Sequence, residues 1–125
     1  MTVRKLVNAY CAKDLDKLLS FYSPKAQFSS LSDKFGKFKN LEAKTEELKT
    51  TFRDNSEIKL VQFGYPDCIY YETGNVYTVY SWWKLSVTDK DGQKKTDIPV
   101  MLSHTFDKDG KVVDEAVYIS SNHFQ

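Results

Sequence analysis

Apolar positions change their period part-way along this chain. Val3, Leu6, Val7 and Tyr10 recur at i, i+3, i+4 and i+7, so they share one stripe of a first helix that Thr2 can cap. Asp14 can cap a second, shorter helix carrying Leu15, Leu18, Leu19 and Tyr22, and Ser23-Pro24 ends it. Ala26 to Leu31 reads as a short strand, with Phe28 flanked by polar residues. Asn40 caps a third helix reaching about Arg53, whose inner face carries Leu41, Leu48 and Phe52. Glu42 near its start and Lys49 and Arg53 near its end suit the helix dipole. After Asp54-Asn55 the period falls to two. Ser56 to Tyr71 reads as one long or bent strand, with a bulge or bend at Gly64 and Pro66. Thr73-Gly74-Asn75 then turns into a strand over Val76 to Thr88. Helices followed by an antiparallel sheet make an α+β layout with the helices on one sheet face.

Two Asp-Gly pairs, Asp91-Gly92 and Asp109-Gly110, set the registers of the last strands. Taken as two-residue type I′ loops, the first pairs Leu85–Ile98, Trp83–Val100, Ser81–Leu102, Val79–His104 and Tyr77–Phe106. The second pairs Lys108–Lys111, Phe106–Val113, His104–Glu115, Leu102–Val117 and Val100–Ile119. The apolar faces of both hairpins coincide, although Pro99 cannot donate to a ladder and threatens the first register. On the shared face three pairs of the second hairpin are apolar, and the fourth is a histidine opposite a glutamate. Cross-strand neighbours lie roughly 4.5–5.5 Å apart at Cβ, close enough to hydrogen-bond.

The 125 residues suffice for one domain with one core, over 1–125. A net charge of +1 gives no broad field for nucleic acid or an anionic membrane. The loop over 32–39 interleaves lysine with phenylalanine in KFGKFK, which reads better as a flap over a pocket mouth than as a nucleic-acid contact. Two cysteines, Cys11 and Cys68, are too few for a disulfide scaffold and fit buried thiols in a reducing compartment. The N-terminus carries no apolar signal core, and no stretch is long enough to span a membrane. A cytoplasmic protein is expected, though a trimmed precursor would look the same. His104 and Glu115 supply two metal ligands at most, so neither a metal nor another cofactor is expected. No Gly-rich phosphate loop and no G-x-S-x-G elbow is present.

Lys13-Asp14-Leu15-Asp16 between helices, then Ser23-Pro24-Lys25-Ala26-Gln27-Phe28, then Thr105-Phe106-Asp107-Lys108-Asp109-Gly110-Lys111-Val112, resemble the nuclear transport factor 2-like superfamily. The SnoaL-like and ketosteroid-isomerase-like branch is the nearest in flavour. The resemblance covers nearly the whole chain, and its motifs specify fold rather than function. It implies a cystatin-like cone: three N-terminal helices packed in a curved, mixed or antiparallel sheet around a deep apolar pocket. It also implies a homodimer through the outer sheet face. The isomerases of that family use an Asp base with a Tyr and a protonated Asp. Those positions fall on Ser30, Leu6 and Leu102 here, and none supplies the needed group. The family's histidine-rich dehydratase pattern needs more than the two histidines present, of which His123 lies in a polar tail.

His104 and Glu115 therefore carry the functional reading. The family layout lines the pocket with this face, at the Leu102, Glu115 and Ile119 positions. A carboxylate orienting an imidazole is a general-base arrangement; the plainer alternative is a satisfied polar pair that fixes register. Tyr10, Phe28, Tyr77 and Trp83 are candidate pocket wall, with Val117 beside Leu102 and Ile119, while Ser30 and Ser81 are candidate polar anchors. The first expectation is a domain binding a small apolar molecule. The second is an isomerase, lyase or hydrolase with His104 as base and Glu115 as its orienter. The third is a protein-interaction module with a filled pocket.

Overall fold

A computed structural model describes residues 2–30, 39–63, 68–71 and 76–119. The elements run α1 (Thr2–Cys11), α2 (Leu15–Leu19), β1 (Tyr22–Ser30), α3 (Leu41–Asp54), β2 (Asn55–Gln62), β3 (Cys68–Tyr71), β4 (Tyr77–Asp89), β5 (Lys94–Phe106) and β6 (Val112–Ile119). The strands form one mixed six-stranded sheet, ordered β1-β6-β5-β4-β2, with β3 also on β4. Only β1 runs parallel to its neighbour, β6.

The helix starts follow their caps. Asp14 accepts from Lys17 N and Asn40 from Ala43 N, each taking one of the donors a helix start leaves over. Val3, Leu6 and Val7 of α1, Leu18 of α2 and Leu48 of α3 are buried against Val79, Trp83, Val100, Leu102 and Phe106 of the sheet. This core lies between the helices and one sheet face.

Three departures from the sequence reading matter. Pro24 does not end α2; the helix stops at Leu19 and β1 begins at Tyr22, so Pro24 lies within the strand. It falls between the Tyr22↔Val112 and Gln27↔Asp114 pairings, where register shifts and no ladder donor is required of it. The expected long strand over 56–71 is two strands. β2 pairs the far half of β4 and β3 its near half; Gly64 and Pro66 lie outside the described residues, as do Thr73-Gly74-Asn75 and His123.

The third departure is in the turns. Neither is a two-residue loop. Asp89 N donates to Gln93 O and Asp107 N to Lys111 O, closing three-residue loops, with Gly92 and Gly110 at φ 83° and 78°. The Asp89 carboxylate accepts from Asp91 N and Gln93 N, and that of Asp107 from Asp109 N and Lys111 N. Each longer loop moves the register by one, so Phe106 pairs with Val112 rather than Val113. A shift between Thr105 and Phe106, and another between Leu85 and Val87, restores it. Beyond those shifts every expected pair stands: His104↔Glu115, Leu102↔Val117, Val100↔Ile119, and Leu85↔Ile98 through Tyr77↔Phe106. Pro99 opposes Lys84 without disturbing the ladder.

Candidate functional site

His104 and Glu115 face each other across β5 and β6, with His104 Nε2 2.9 Å from Glu115 Oε2. Both are buried, the histidine completely. A third residue completes the arrangement: Tyr22, the first residue of β1, donates its hydroxyl to the same Oε2 at 2.5 Å. Lys44 of α3 brings its ammonium to 4.0 Å from the other oxygen, Oε1. One carboxylate thus ties together β1, β5, β6 and α3.

Burial alone would lift the Glu115 carboxyl. The His104 imidazole beside it, then Lys44, then the Tyr22 hydroxyl outweigh burial and hold it at about 2. Glu115 is therefore a carboxylate at any ordinary pH, an acceptor and a charge, not a proton donor. Burial first, and then the Glu115 charge, push the Tyr22 phenol well above its usual range, so it keeps the proton it donates. The Glu115 carboxylate can only accept, so His104 Nε2 carries the hydrogen of their contact. His104 Nδ1 is buried and has no hydrogen-bond partner among the described residues.

These groups form part of the wall of a cavity of about 270 Å³. Leu6, Val7, Leu48, Leu60, Leu85 and Val100 supply apolar wall. Lys39, Lys44 and Glu47 supply charge: Glu47 pairs with Lys39 and lies 3.4 Å from Lys44 Nζ. Lys44 also sits 5.7 Å over the Phe28 ring. Burial pushes the Glu47 carboxyl up, but the two lysines outweigh it and leave it below its ordinary value.

Of the residues expected at the site, Tyr10, Phe28, Leu102, His104, Glu115, Val117 and Ile119 line this cavity. Tyr77, Ser81 and Trp83 fall outside its lining. Tyr77 stacks on Phe106 with ring centres 5.0 Å apart, and buried Trp83 donates its indole N–H to the fully buried Ser81 hydroxyl at 2.8 Å. Both contacts are core packing satisfied within the sheet. The Ser30 side chain lies outside the described residues, as does the KFGKFK loop apart from Lys39. Sequence reasoning missed Tyr22 because a helix stripe was extended through it, and missed Lys44 because α3 was read for its apolar face and for the charges at its two ends. Among the described residues, no three His, Cys, Asp or Glu side chains cluster as metal ligands.

Comparison with known proteins places this geometry. A nuclear transport factor 2-like protein of unknown function from Exiguobacterium sp. 255-15 superposes with a TM-score of 0.75, at 22% identity over 96% of this chain and 98% of that one. The fold is nuclear transport factor 2-like. Within this fold the chain is also similar to SalBIII, an epoxide hydrolase/cyclase-like enzyme of pyran ring formation in polyether salinomycin, at TM-score 0.74 and 12% identity over 97% of this chain and 89% of that one. It is similar as well to TerC co-crystallised with polyporic acid, at TM-score 0.67 and 17% identity over 98% and 91%. No family model matches the sequence, and no curated protein does. Identities this low establish the nuclear transport factor 2-like fold and leave activity to the site itself.

Proposed function

We propose that this chain is a small-molecule-binding domain, taking one small and mostly apolar molecule into its cavity with Tyr22, His104 and Glu115 as the polar recognition group. One observation carries the reading. A buried, ionised carboxylate and a buried imidazole nitrogen without a partner stand in the wall of a largely apolar hollow. Its volume of about 270 Å³ is just under the roughly 300–1,000 Å³ usual for ligand pockets, which suits a compact ligand. SalBIII and TerC, which share the fold, are named with small-molecule chemistry. Calorimetric titration with naphthalene tests the proposal. Saturable one-to-one binding, abolished by Val117→Trp with circular dichroism unchanged, is expected; no saturable binding, or binding that survives the filled wall, refutes it.

A second reading, an isomerase, lyase or hydrolase, is favoured by the unpartnered Nδ1 of His104. Glu115 would orient the imidazole and Nδ1 would take the proton. Its mark would be a pH–rate profile lost in His104→Ala. Two further expectations belong to the same proposal. The outer sheet face carries an apolar groove of Phe63, Trp82, Pro99, Met101 and Tyr118, which supports a homodimer through that face, to be tested by sedimentation. A reducing cytoplasm suits the free thiol of Cys11, and no described helix is long and apolar enough to cross a membrane.

A further inference from the structure

The two oxygens of Glu115 are not equivalent, and the difference constrains what the cavity can hold. Oε2 accepts from both Tyr22 and His104. Oε1 accepts from no described residue; Lys44 Nζ at 4.0 Å is beyond hydrogen-bond reach. That lysine is itself engaged by Glu47. An ionised oxygen that lines the cavity with open lone pairs can accept from a donor that enters it. Tyr10 of α1 lines the same cavity, and its hydroxyl makes no hydrogen bond with a described residue. Burial and nearby negative charge, that of Glu115 included, keep this phenol protonated, so it can donate to an incoming oxygen.

Charge narrows the choice further. Besides His104 on Oε2, the described lining carries Lys39 and Lys44 against Glu47 and Glu115, already paired with one another. An anionic head seated at Oε1 would meet a like charge in low dielectric and find Lys44 already engaged. An ammonium head would have to displace Lys44. A hydroxyl does neither. It can donate to Oε1 and keeps lone pairs for a donor such as the Tyr10 phenol of the same wall.

We infer that the cavity's ligand presents an uncharged hydroxyl to Glu115 Oε1, and that the site discriminates against the corresponding carboxylate. This rests on the small-molecule-binding reading above and names the class of ligand it takes.

Calorimetric titration of the whole chain at pH 7 with naphthalene, 2-naphthol and 2-naphthoate separates the two claims. Naphthol is expected to bind about tenfold or more tightly than naphthalene, the return on a hydrogen bond to a charged acceptor. Naphthoate is expected to bind more weakly than either. In Glu115→Gln, naphthol should lose most of its advantage over naphthalene, and naphthoate most of its handicap, each ratio being read within the variant. An unchanged circular dichroism spectrum reports that the variant has kept its fold. If Glu115→Gln does not fold, Lys44→Gln serves instead: removing the cation beside Oε1 should weaken naphthoate further and leave naphthol ahead of naphthalene. Equal binding of naphthalene and naphthol, or tightest binding of naphthoate, overturns the head-group assignment and leaves the cavity reading intact. Failure of all three to bind overturns both.

Discussion

Replacing Tyr22 by phenylalanine removes one oxygen and tests the centre of the site. The ring's edge-on contact with Phe28, centroids 5.0 Å apart, is kept. Lost is the 2.5 Å hydrogen bond from the phenol to Glu115 Oε2. Hydrogen bonds to charged groups contribute about 1.5–3 kcal/mol, and a buried carboxylate left short of a donor is at the costly end of the range. Tyr22→Phe should therefore destabilise the fold by about 2 kcal/mol, or roughly 1 M in the urea midpoint at a slope of about 2 kcal/mol/M. The slope itself should not change, because no apolar surface is newly exposed. A double-mutant cycle with Glu115→Gln assigns the loss to the contact. The Tyr22 substitution should cost markedly less in the Glu115→Gln background, with a coupling of about 1 kcal/mol or more. An effect of Tyr22→Phe below about 0.5 kcal/mol, the scatter of neutral surface changes, would refute the view that Glu115 is an ionised hub dependent on its donors.

Acid should act through the same carboxylate. Glu115 is held near 2 in the folded chain against an ordinary 4.5, so between those values the unfolded chain binds the extra proton. Its contribution, about 3 kcal/mol, is present above pH 4.5 and is lost as pH falls toward 2; urea melts at stepped pH should lose this slope in Glu115→Gln. Ser81→Ala strips the acceptor from the buried Trp83 indole N–H and should cost about 1–3 kcal/mol in thermal or urea unfolding. Gly92→Ala and Gly110→Ala meet no atom within 4 Å, so each should cost only the backbone penalty of positive φ, about 1–2 kcal/mol by urea unfolding.

The pairing that builds the site was legible because hydrophobic alternation constrains it from both sides. A one-residue slip would turn Val79, Leu102 and Val117 off their shared face, and the register that keeps them there puts His104 opposite Glu115 even though both turns were misjudged. The turn signal lay in the sequence: Asp89-Lys90-Asp91-Gly92 and Asp107-Lys108-Asp109-Gly110 are the same tetrapeptide. Its first aspartate caps two backbone amides and asks for a longer loop than Asp-Gly alone. The shifts that cancel those loops depend on tertiary packing and leave no local mark. Tyr22 was illegible for another reason. Leu15, Leu18, Leu19 and Tyr22 fit a helix period, yet only burial against the sheet decides that the chain extends from Tyr22 onward, and parallel pairing with a strand ninety residues away has no short-range signature.

Stability alone does not explain this group of residues. A buried ionic pair commonly does no better than apolar residues of the same volume, because desolvation offsets the attraction. Had the pair served only to fix register, both carboxylate oxygens and both ring nitrogens would be expected to find partners, as Ser81 and Trp83 do within the same sheet. Instead two donors converge on Oε2, while among the described residues Oε1 has no donor within hydrogen-bond reach and the buried His104 Nδ1 has no partner. A buried nitrogen without a partner costs stability that a small domain has little of. Selection for folding would remove such a cost; selection for a ligand that completes the hydrogen bonds would keep it. The open oxygen in the cavity wall is the physical reason to look for a hydroxyl-bearing partner there before looking anywhere else on the molecule.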